Sequence, residues 1–408
     1  MTGSRGKSIR IAVDTGGTFT DFVWVEGGRV RMVKVFSTPE DPSLAIVAGL
    51  EKIGAKASIV LLHGTTVGTN TLLQRKGARV ALVTTAGFED AIEIGRQARP
   101  KLYDFFFDRV DPLVAREMRF GVQERTSSAG DVIEAAVVGD LAKRVAEKQP
   151  EAIAICFLFS FANAANEQVV AESLRGLRVP LSVSHEILPE FREYERGSTV
   201  LINACLAPKM QKYLDTLDQI LRASNSRLQV MQSSGGIVPA AVAAREPVRT
   251  ILSGPAGGVV GAMAVARTAG FDHILTFDMG GTSTDVSLVS AQMGMRTTTE
   301  AQILGMPVSI PMLDIHTVGA GGGSIASFDR GGALRVGPQS AGADPGPVCY
   351  GRGEQPTVTD ANLLLGRLSP NGFLGGEMKL DPARARECFE GAKGNLPSVE
   401  NFAEGILR

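Results

Sequence analysis

Asp14-Thr15-Gly16-Gly17-Thr18-Phe19-Thr20-Asp21 is a stretch that the chain uses twice. Asp278-Met279-Gly280-Gly281-Thr282-Ser283-Thr284-Asp285 repeats its pattern Asp-x-Gly-Gly-Thr-x-Thr-Asp. The flanks repeat as well. Ile9-Arg10-Ile11-Ala12-Val13 enters the first copy, and Ile274-Leu275-Thr276-Phe277 enters the second. Phe22-Val23-Trp24-Val25 leaves the first, and Val286-Ser287-Leu288-Val289 leaves the second. Short apolar runs on either side of a Gly-Gly turn read as strand, tight turn, strand.

Paired glycines let backbone N–H groups reach an anion with no Cβ in the way. The threonine hydroxyls add donors. An aspartate at a strand end suits a hydrated Mg²⁺ or the orientation of an attacking group. A single Gly-Gly-Thr turn is an ordinary hairpin. Two copies, each between strands and one in each half of the chain, read as two loops that grip one polyphosphate.

Composition narrows the remaining classes. The chain has 408 residues, 44% hydrophobic and 21% charged, enough for two or more domains with sizeable cores. A net charge of −1 gives no reason to expect a nucleic-acid or anionic-membrane partner. No apolar run reaches the length of a membrane span, and residues 1–8 lack the apolar core of a signal peptide. Cys156, Cys205, Cys349 and Cys388 are far apart and form no CxxC. They read as buried or incidental thiols, which fits a reducing cytoplasm.

In chain order, residues 30–36 read as a third strand, and Asp41-Pro42-Ser43 opens a helix. Residues 59–62 form a short strand that delivers His63-Gly64-Thr65-Thr66-Val67-Gly68-Thr69-Asn70 at its carboxyl end, where α/β sheets bind ligands. A lone histidine there is more often structural than catalytic. Its neighbours Thr65, Thr66 and Asn70 make contact with substrate or phosphate an equal alternative. Strand and helix alternate from about 37 to 190, an α/β pattern. Tyr103, Phe105, Phe106 and Phe107 read as a packed subdomain edge, and the charged run 190–196 as a solvated helix entry. A long helix follows, with Met210, Tyr213, Leu214, Leu217, Ile220 and Leu221 at helical spacing. The domain boundary is placed just before it, giving 1–190 and 191–408.

Further on, Ser253-Gly254-Pro255-Ala256-Gly257-Gly258 opens an Ala/Val-rich helix. Small residues at a helix N-terminus let an anion meet free N–H groups; close packing of helix on sheet is the competing reading. Residues 311–318 read as a strand with Asp314 and His316 on one side. That suits a polar site wall and is too few ligands for a zinc site. The glycine run 319–323 ends in Ser324, so it is no dinucleotide fingerprint. Asp360 and Asn362 open another helix. Gly6-Lys7-Ser8 mimics the end of a Walker A loop, but Met1 holds the first glycine position; GxSxG and HExxH do not occur.

Paired phosphate hairpins in two halves resemble the actin-like ATPase fold of sugar kinases and actin. Segments 14–21, 63–70, 95–100, 188–196, 248–261, 277–285, 311–324 and 340–351 resemble, more closely, the hydantoinase A/5-oxoprolinase family. That family joins ATP-dependent cyclic-amide hydrolases with related subunits of acetone and acetophenone carboxylases. The resemblance implies an α/β fold of duplicated, ribonuclease H-like domains, with mixed sheets flanked by helices. It implies that ATP and Mg²⁺ activate the oxygen of a cyclic amide or ketone by phosphorylation, and that a B-type subunit completes hydrolysis or carboxylation. Carried over by motif, Gly16, Gly17, Thr18, Thr20, Asp21, Gly254, Gly280, Gly281, Thr282 and Asp285 hold the nucleotide. Asp14 and Asp278 organise Mg²⁺ through water; His63, Asp314 and His316 join them as catalytic candidates, and Thr65, Thr66 and Asn70 face substrate. The resemblance also implies further chain beyond the point matching Arg408, including a late Gly-Gly segment for adenosine, so the sequence reads as C-terminally truncated. A homo-oligomer is compatible with all of this. A non-catalytic nucleotide-binding subunit and a small-molecule kinase are the competing readings.

Overall fold

The structure is a computed structural model of the chain. It describes residues 8–16, 19–38, 41–54, 57–97, 103, 110–290, 292, 294–342, 344–376 and 378–408. Two compact units emerge. One comprises Met1–Gly257 with Thr297–Leu313, the other Gly258–Arg296 with Asp314–Arg408.

The first unit is built on two sheets. The six-stranded sheet runs Ile237–Pro239, Arg227–Met231, Ile59–Thr65, Ile9–Thr15, Phe19–Glu26, Arg29–Phe36. Ile9–Thr15 lies parallel to Ile59–Thr65 and antiparallel to Phe19–Glu26, so the sheet is mixed. The second sheet runs Leu181–Val183, Ala152–Cys156, Val80–Thr85, Arg119–Val122, all parallel. Its central strands are buried along their whole length, as parallel sheets require. The helix Glu193–Ala223 packs on Ala152–Cys156 and on Arg227–Met231. At 1.5 Å per residue it is about 46 Å long, long enough to serve both sheets. One core therefore runs from Ile11, Val13 and Leu61 through Val200, Leu206 and Leu214 to Ile153 and Ile155.

That helix explains why the compact units do not divide at 190. Residues 193–257 supply a covering helix and two strands to the first unit, and the division falls inside the helix Ser253–Thr268. The charged run 190–196 is not a wholly solvated entry either. Arg196 is fully buried; it donates to the carbonyl of Glu190 at 2.8 Å and of Phe157 at 2.5 Å, and its guanidinium lies 5.2 Å from the Phe161 ring. Tyr103 is exposed, and Phe105–Phe107 lie outside the described residues.

In the second unit the hairpin His273–Met279/Thr284–Ser290 carries Gly294–Met295 and His316–Val318 along its second strand. A separate hairpin, Ser324–Phe328/Leu334–Ser340, packs with the helices Val358–Leu364, Pro382–Ala392 and Val399–Leu407. Phe389 and Phe402 meet there with ring centres 5.2 Å apart. Asp360 is the third residue of its helix and forms a capping box with Thr357. Its buried carboxylate accepts from four donors: the amides of Val348, Cys349 and Thr357 and the Thr357 hydroxyl. The loop that precedes the helix is anchored on that one side chain. All four cysteines are free; three are buried and Cys388 is partly buried.

Candidate functional site

The repeated octet is a repeated structure. In the first hairpin Asp14 stands opposite Asp21 and Thr15 opposite Thr20, and the Gly16 amide donates to the Phe19 carbonyl at 2.9 Å. In the second, Asp278 stands opposite Asp285 and Met279 opposite Thr284, and the Gly280 amide donates to the Ser283 carbonyl at 2.9 Å. Opposed residues of an antiparallel pair project from the same face, so each hairpin sets two carboxylates side by side. Asp14 and Asp278 are both exposed. Gly17 and Thr18 lie outside the described residues.

Around the first hairpin, three elements converge on Asp14. A Cβ on Gly64 would come within 3.2 Å of the Asp14 Oδ1, and one on Gly254 within 3.1 Å. Both positions are crowded enough that glycine is the residue that lets the carboxylate sit there. Gly254 stands in the first turn of Ser253–Thr268, whose N-terminal dipole favours negative charge. The buried Ser253 hydroxyl accepts from the Thr65 amide at 3.2 Å and donates to the Thr65 carbonyl at 3.1 Å, tying the helix to the strand end. The loop itself is pinned from behind: Ser37 donates to the Gly16 carbonyl at 2.8 Å and shares a hydrogen bond with the buried Thr20. Asp21 is paired with Lys34 at 2.7 Å, so a cation of the chain already stands beside that carboxylate.

The histidine of this region is not a surface group. His63 has no exposed surface, and its Nε2 lies 2.8 Å from the hydroxyl of Tyr213 on the long helix. Burial lowers the imidazole to about 4, with the Val13 backbone acting weakly the other way. Burial also raises the Tyr213 phenol above its ordinary value. A neutral ring and a protonated phenol therefore share this hydrogen bond. The expectation that His63 touches substrate is corrected: the sheet and helix close over it. Thr65 is likewise buried, and the Thr66 hydroxyl donates to the Thr15 carbonyl at 2.7 Å, a tie between strand ends. Of that trio, Asn70 alone is exposed.

The second hairpin is braced by backbone. The Gly322 amide donates to the Gly280 carbonyl at 3.0 Å, and the Gly323 amide to the Gly281 carbonyl at 2.7 Å. A Cβ on Gly321 would lie 2.7 Å from both the Gly281 carbonyl carbon and the Thr282 nitrogen, a distance real side chains do not show. The run is itself held by Thr359, whose hydroxyl and amide both donate to the Gly322 carbonyl. The loop's carbonyls are thus engaged by the brace. Among the described residues, no acceptor receives the Gly281 or Thr282 amide, which leaves them for an anion. Asp285 accepts from the Thr317 hydroxyl at 2.6 Å. Burial raises its carboxyl above the ordinary range, and the Asp278 charge adds to the rise while Thr317 opposes it. A cation between the two carboxylates relieves that repulsion. Two carboxylates plus waters and phosphate oxygens are what Mg²⁺ takes, so the donor set fits. Among the described residues no cluster of three or more His, Cys, Asp or Glu makes a protein-only metal site.

Asp314 and His316 do not share a strand. Met312–Leu313 pairs with Thr297–Thr298 in the first unit, whereas His316–Val318 pairs with Thr284–Ser290 in the second. The chain changes unit between Leu313 and Asp314, and the strand breaks there. Both side chains are exposed. The glycine run was noted in the sequence as no dinucleotide fingerprint, and its bracing role was not read there; Thr317, Thr359 and Lys34 were not singled out.

Profiles of known families match most of the chain. The hydantoinase/oxoprolinase profile covers residues 196–408, and that of the hydantoinase/oxoprolinase N-terminal region covers 10–177. Caprolactamase subunit alpha from Pseudomonas jessenii is 38% identical over 98% of this chain and 61% of its own length. The 5-oxoprolinase of Dictyostelium discoideum is 34% identical over 90% of this chain and 33% of its own. Solved structures agree. Nucleotide-free acetone carboxylase superposes with a TM-score of 0.83 at 29% identity, and ATP-dependent caprolactamase from Pseudomonas jessenii with 0.82 at 36%; each covers 98% of this chain and 61% of the other. The α/β, actin-like ATPase architecture expected from the paired hairpins is the one these structures share. The chain spans about three fifths of the length of the first of these relatives.

Proposed function

Because this chain belongs to the hydantoinase/oxoprolinase family, we propose that it is the ATP-using part of an enzyme that opens a cyclic amide. The observation that carries this reading is the second hairpin: two unclaimed loop amides beside two opposed carboxylates, on a backbone brace that admits no side chain at Gly321. Phosphoryl transfer asks for positioning and charge neutralisation more than for a covalent catalyst. In this reading the amides of Gly280–Thr282 and Gly16–Thr18 hold phosphate oxygens. Asp14 in the first hairpin and Asp278 in the second are each assigned to hold Mg²⁺ through water, where the ion would offset phosphate charge.

The amide oxygen attacks the γ-phosphorus, the bond to the β-phosphate oxygen breaks, and ADP leaves. Water then adds to the activated carbon, the C–N bond breaks to release the amine and leave an acyl phosphate, and a second water hydrolyses that acyl phosphate to the carboxylate and inorganic phosphate. The names of the relatives support a cyclic amide of the caprolactam or 5-oxoproline type, and a subunit name such as caprolactamase subunit alpha supports a partner, which we assign as B-type. The acetone carboxylase match supports a second reading, in which a ketone enolate oxygen takes the phosphate and the carbon is carboxylated. No helix among the described residues is long and apolar enough to cross a membrane.

The first test is calorimetric titration with Mg²⁺ and a non-hydrolysable ATP analogue. Saturable binding that Gly281→Val removes is expected. ADP release by the chain and its partner is then followed with 5-oxoproline, hydantoin, caprolactam and acetone in turn. ADP coupled to amide ring opening supports the hydrolase, coupling to acetone with bicarbonate supports the carboxylase, and binding without turnover on any of them overturns both.

A further inference from the structure

Three strands carry a row of charged side chains past the first hairpin. Asp14 stands opposite Asp21, and Asp21 stands opposite Lys34 on Arg29–Phe36. Directly opposed residues of antiparallel strands project from one face, so Lys34 is on the side of the sheet that bears Asp14. Two contacts place its ammonium. Nζ lies 2.7 Å from the Asp21 Oδ1 and 2.9 Å from Oδ2, and it stands 5.0 Å from the centre of the Phe19 ring. That ring packs on Phe36 with centres 5.2 Å apart, and the Phe19 carbonyl receives the Gly16 amide that closes the loop. The ammonium is therefore held at the exit of the loop. The Lys34 side chain is 39% exposed, so a ligand can reach it.

The second hairpin has the same row with a different third member. Asp278 stands opposite Asp285, and Asp285 stands opposite Thr317 on His316–Val318. Thr317 donates to the Asp285 carboxylate at 2.6 Å, the place that Lys34 takes beside Asp21. The first row thus sets one cation against two carboxylates, and the second sets none. A polyphosphate brought to either hairpin meets two negative groups and needs positive charge to offset them. The second hairpin leaves that to an external ion; the first has its own. An ammonium carries three N–H donors, and the two oxygens of Asp21 take at most two. We propose that Lys34 is a phosphate-binding residue, whose remaining N–H meets a phosphate oxygen of the nucleotide at the first hairpin. The assignment rests on the ATP-using function proposed above. It also gives Asp21 a different part from the one the resemblance implies: the carboxylate holds the lysine, and the lysine holds the nucleotide.

The test is calorimetric titration with Mg²⁺ and a non-hydrolysable ATP analogue of four forms of the 408-residue chain: unaltered, Lys34→Met, Asp21→Asn and the double variant. Lys34→Met is expected to weaken binding tenfold or more, the scale of a hydrogen bond to a charged group. It is expected to weaken binding by as much in the Asp21→Asn background, where no carboxylate charge is left at 21 for the lysine to offset. A partly exposed ion pair adds little to folding, so the variants are expected to melt within a few degrees of the unaltered chain. Where Lys34→Met melts earlier than that, Lys34→Gln, which keeps an N–H for Asp21, takes its place. Three results overturn the proposal and leave the ATP reading standing: unchanged affinity in Lys34→Met, a loss that vanishes in the Asp21→Asn background, or loss of all binding in Asp21→Asn alone, which makes the carboxylate the contact. Failure of the unaltered chain to bind the analogue overturns the ATP reading, and this assignment with it.

Discussion

Asp278 and Asp285 face one another across two strands, whereas Asp21, the counterpart of Asp285, has Lys34 beside it. The second pair thus carries the stronger demand for an external cation. Asp278→Asn is expected to cost about 10²-fold or more in ATP turnover, the scale of losing one preorganised electrostatic group, with the fold intact by circular dichroism. Asp285 holds its proton to higher pH than an ordinary carboxylate, so in the proposed function Mg²⁺ competes with that proton at this pair. Cation affinity, read by titration, should fall on acidification, and earlier than for a free carboxylate. Gly321→Ala places a methyl against the loop backbone at 2.7 Å. Such overpacking costs about 1–3 kcal/mol and should weaken binding of the ATP analogue by roughly tenfold or more. His63 is a stability group. Its folded value near 4 lies below its ordinary 6.5, so the unfolded chain takes the proton first. Its contribution is complete above pH 6.5 and is lost as pH falls from 6.5 towards 4, by about 3 kcal/mol at the limit. Urea melts of His63→Gln should show a flatter slope across that window. His185 has the opposite sign: its bond to Glu167 raises it, so its contribution is present below pH 6.5 and fades as pH rises through the raised value.

Among the elements, the helix starts do the positioning. The Ser253 hydroxyl joins the N-terminus of its helix to both the amide and the carbonyl of Thr65. Ser253→Ala removes that tie and leaves a buried Thr65 amide without its acceptor, a loss of about 1–3 kcal/mol in a thermal melt. At Thr357, the capping hydroxyl serves both the helix and Asp360. Thr357→Ala should cost about 1–2 kcal/mol and loosen the 340–350 loop, read as faster exchange of the Val348 and Cys349 amides that Asp360 receives. The strands of both hairpins, the start of Pro42–Ile53 at Asp41 and the Val358–Leu364 helix were legible from residue pattern and capping chemistry. The strand over 311–318 was not, since alternation says nothing about which unit a strand pairs with. Arg196 was missed for a similar reason: a charged residue in a charged run is read as solvated until two carbonyls and a ring are found around it.

For the whole molecule, the two units differ in how much they bury. The first has a core running through two sheets and a 31-residue helix. The second splits into small clusters around Phe389 and around Cys349, with its hairpin strand exposed. Local opening costs least where few apolar contacts must be broken. Native-state hydrogen exchange should therefore release the second unit's amides before those of Ala152–Cys156, and a saturating ATP analogue should narrow the gap, by about 2.7 kcal/mol at a hundredfold excess over its dissociation constant.

The sequence by itself determined the repeat and its strand–turn–strand form, because these depend on residues adjacent in the chain: apolar runs on either side and glycines that clear the backbone at the turn. Family and fold class followed from the same local patterns. Only the tertiary structure decided which polar residues face outwards. His63, Thr65 and Arg196 are buried by elements 150, 188 and 39 residues away in sequence. The glycine run became a brace because a later strand carries it back onto the second loop. Contacts of that range depend on how sheets and helices close over one another, and no local spacing encodes them.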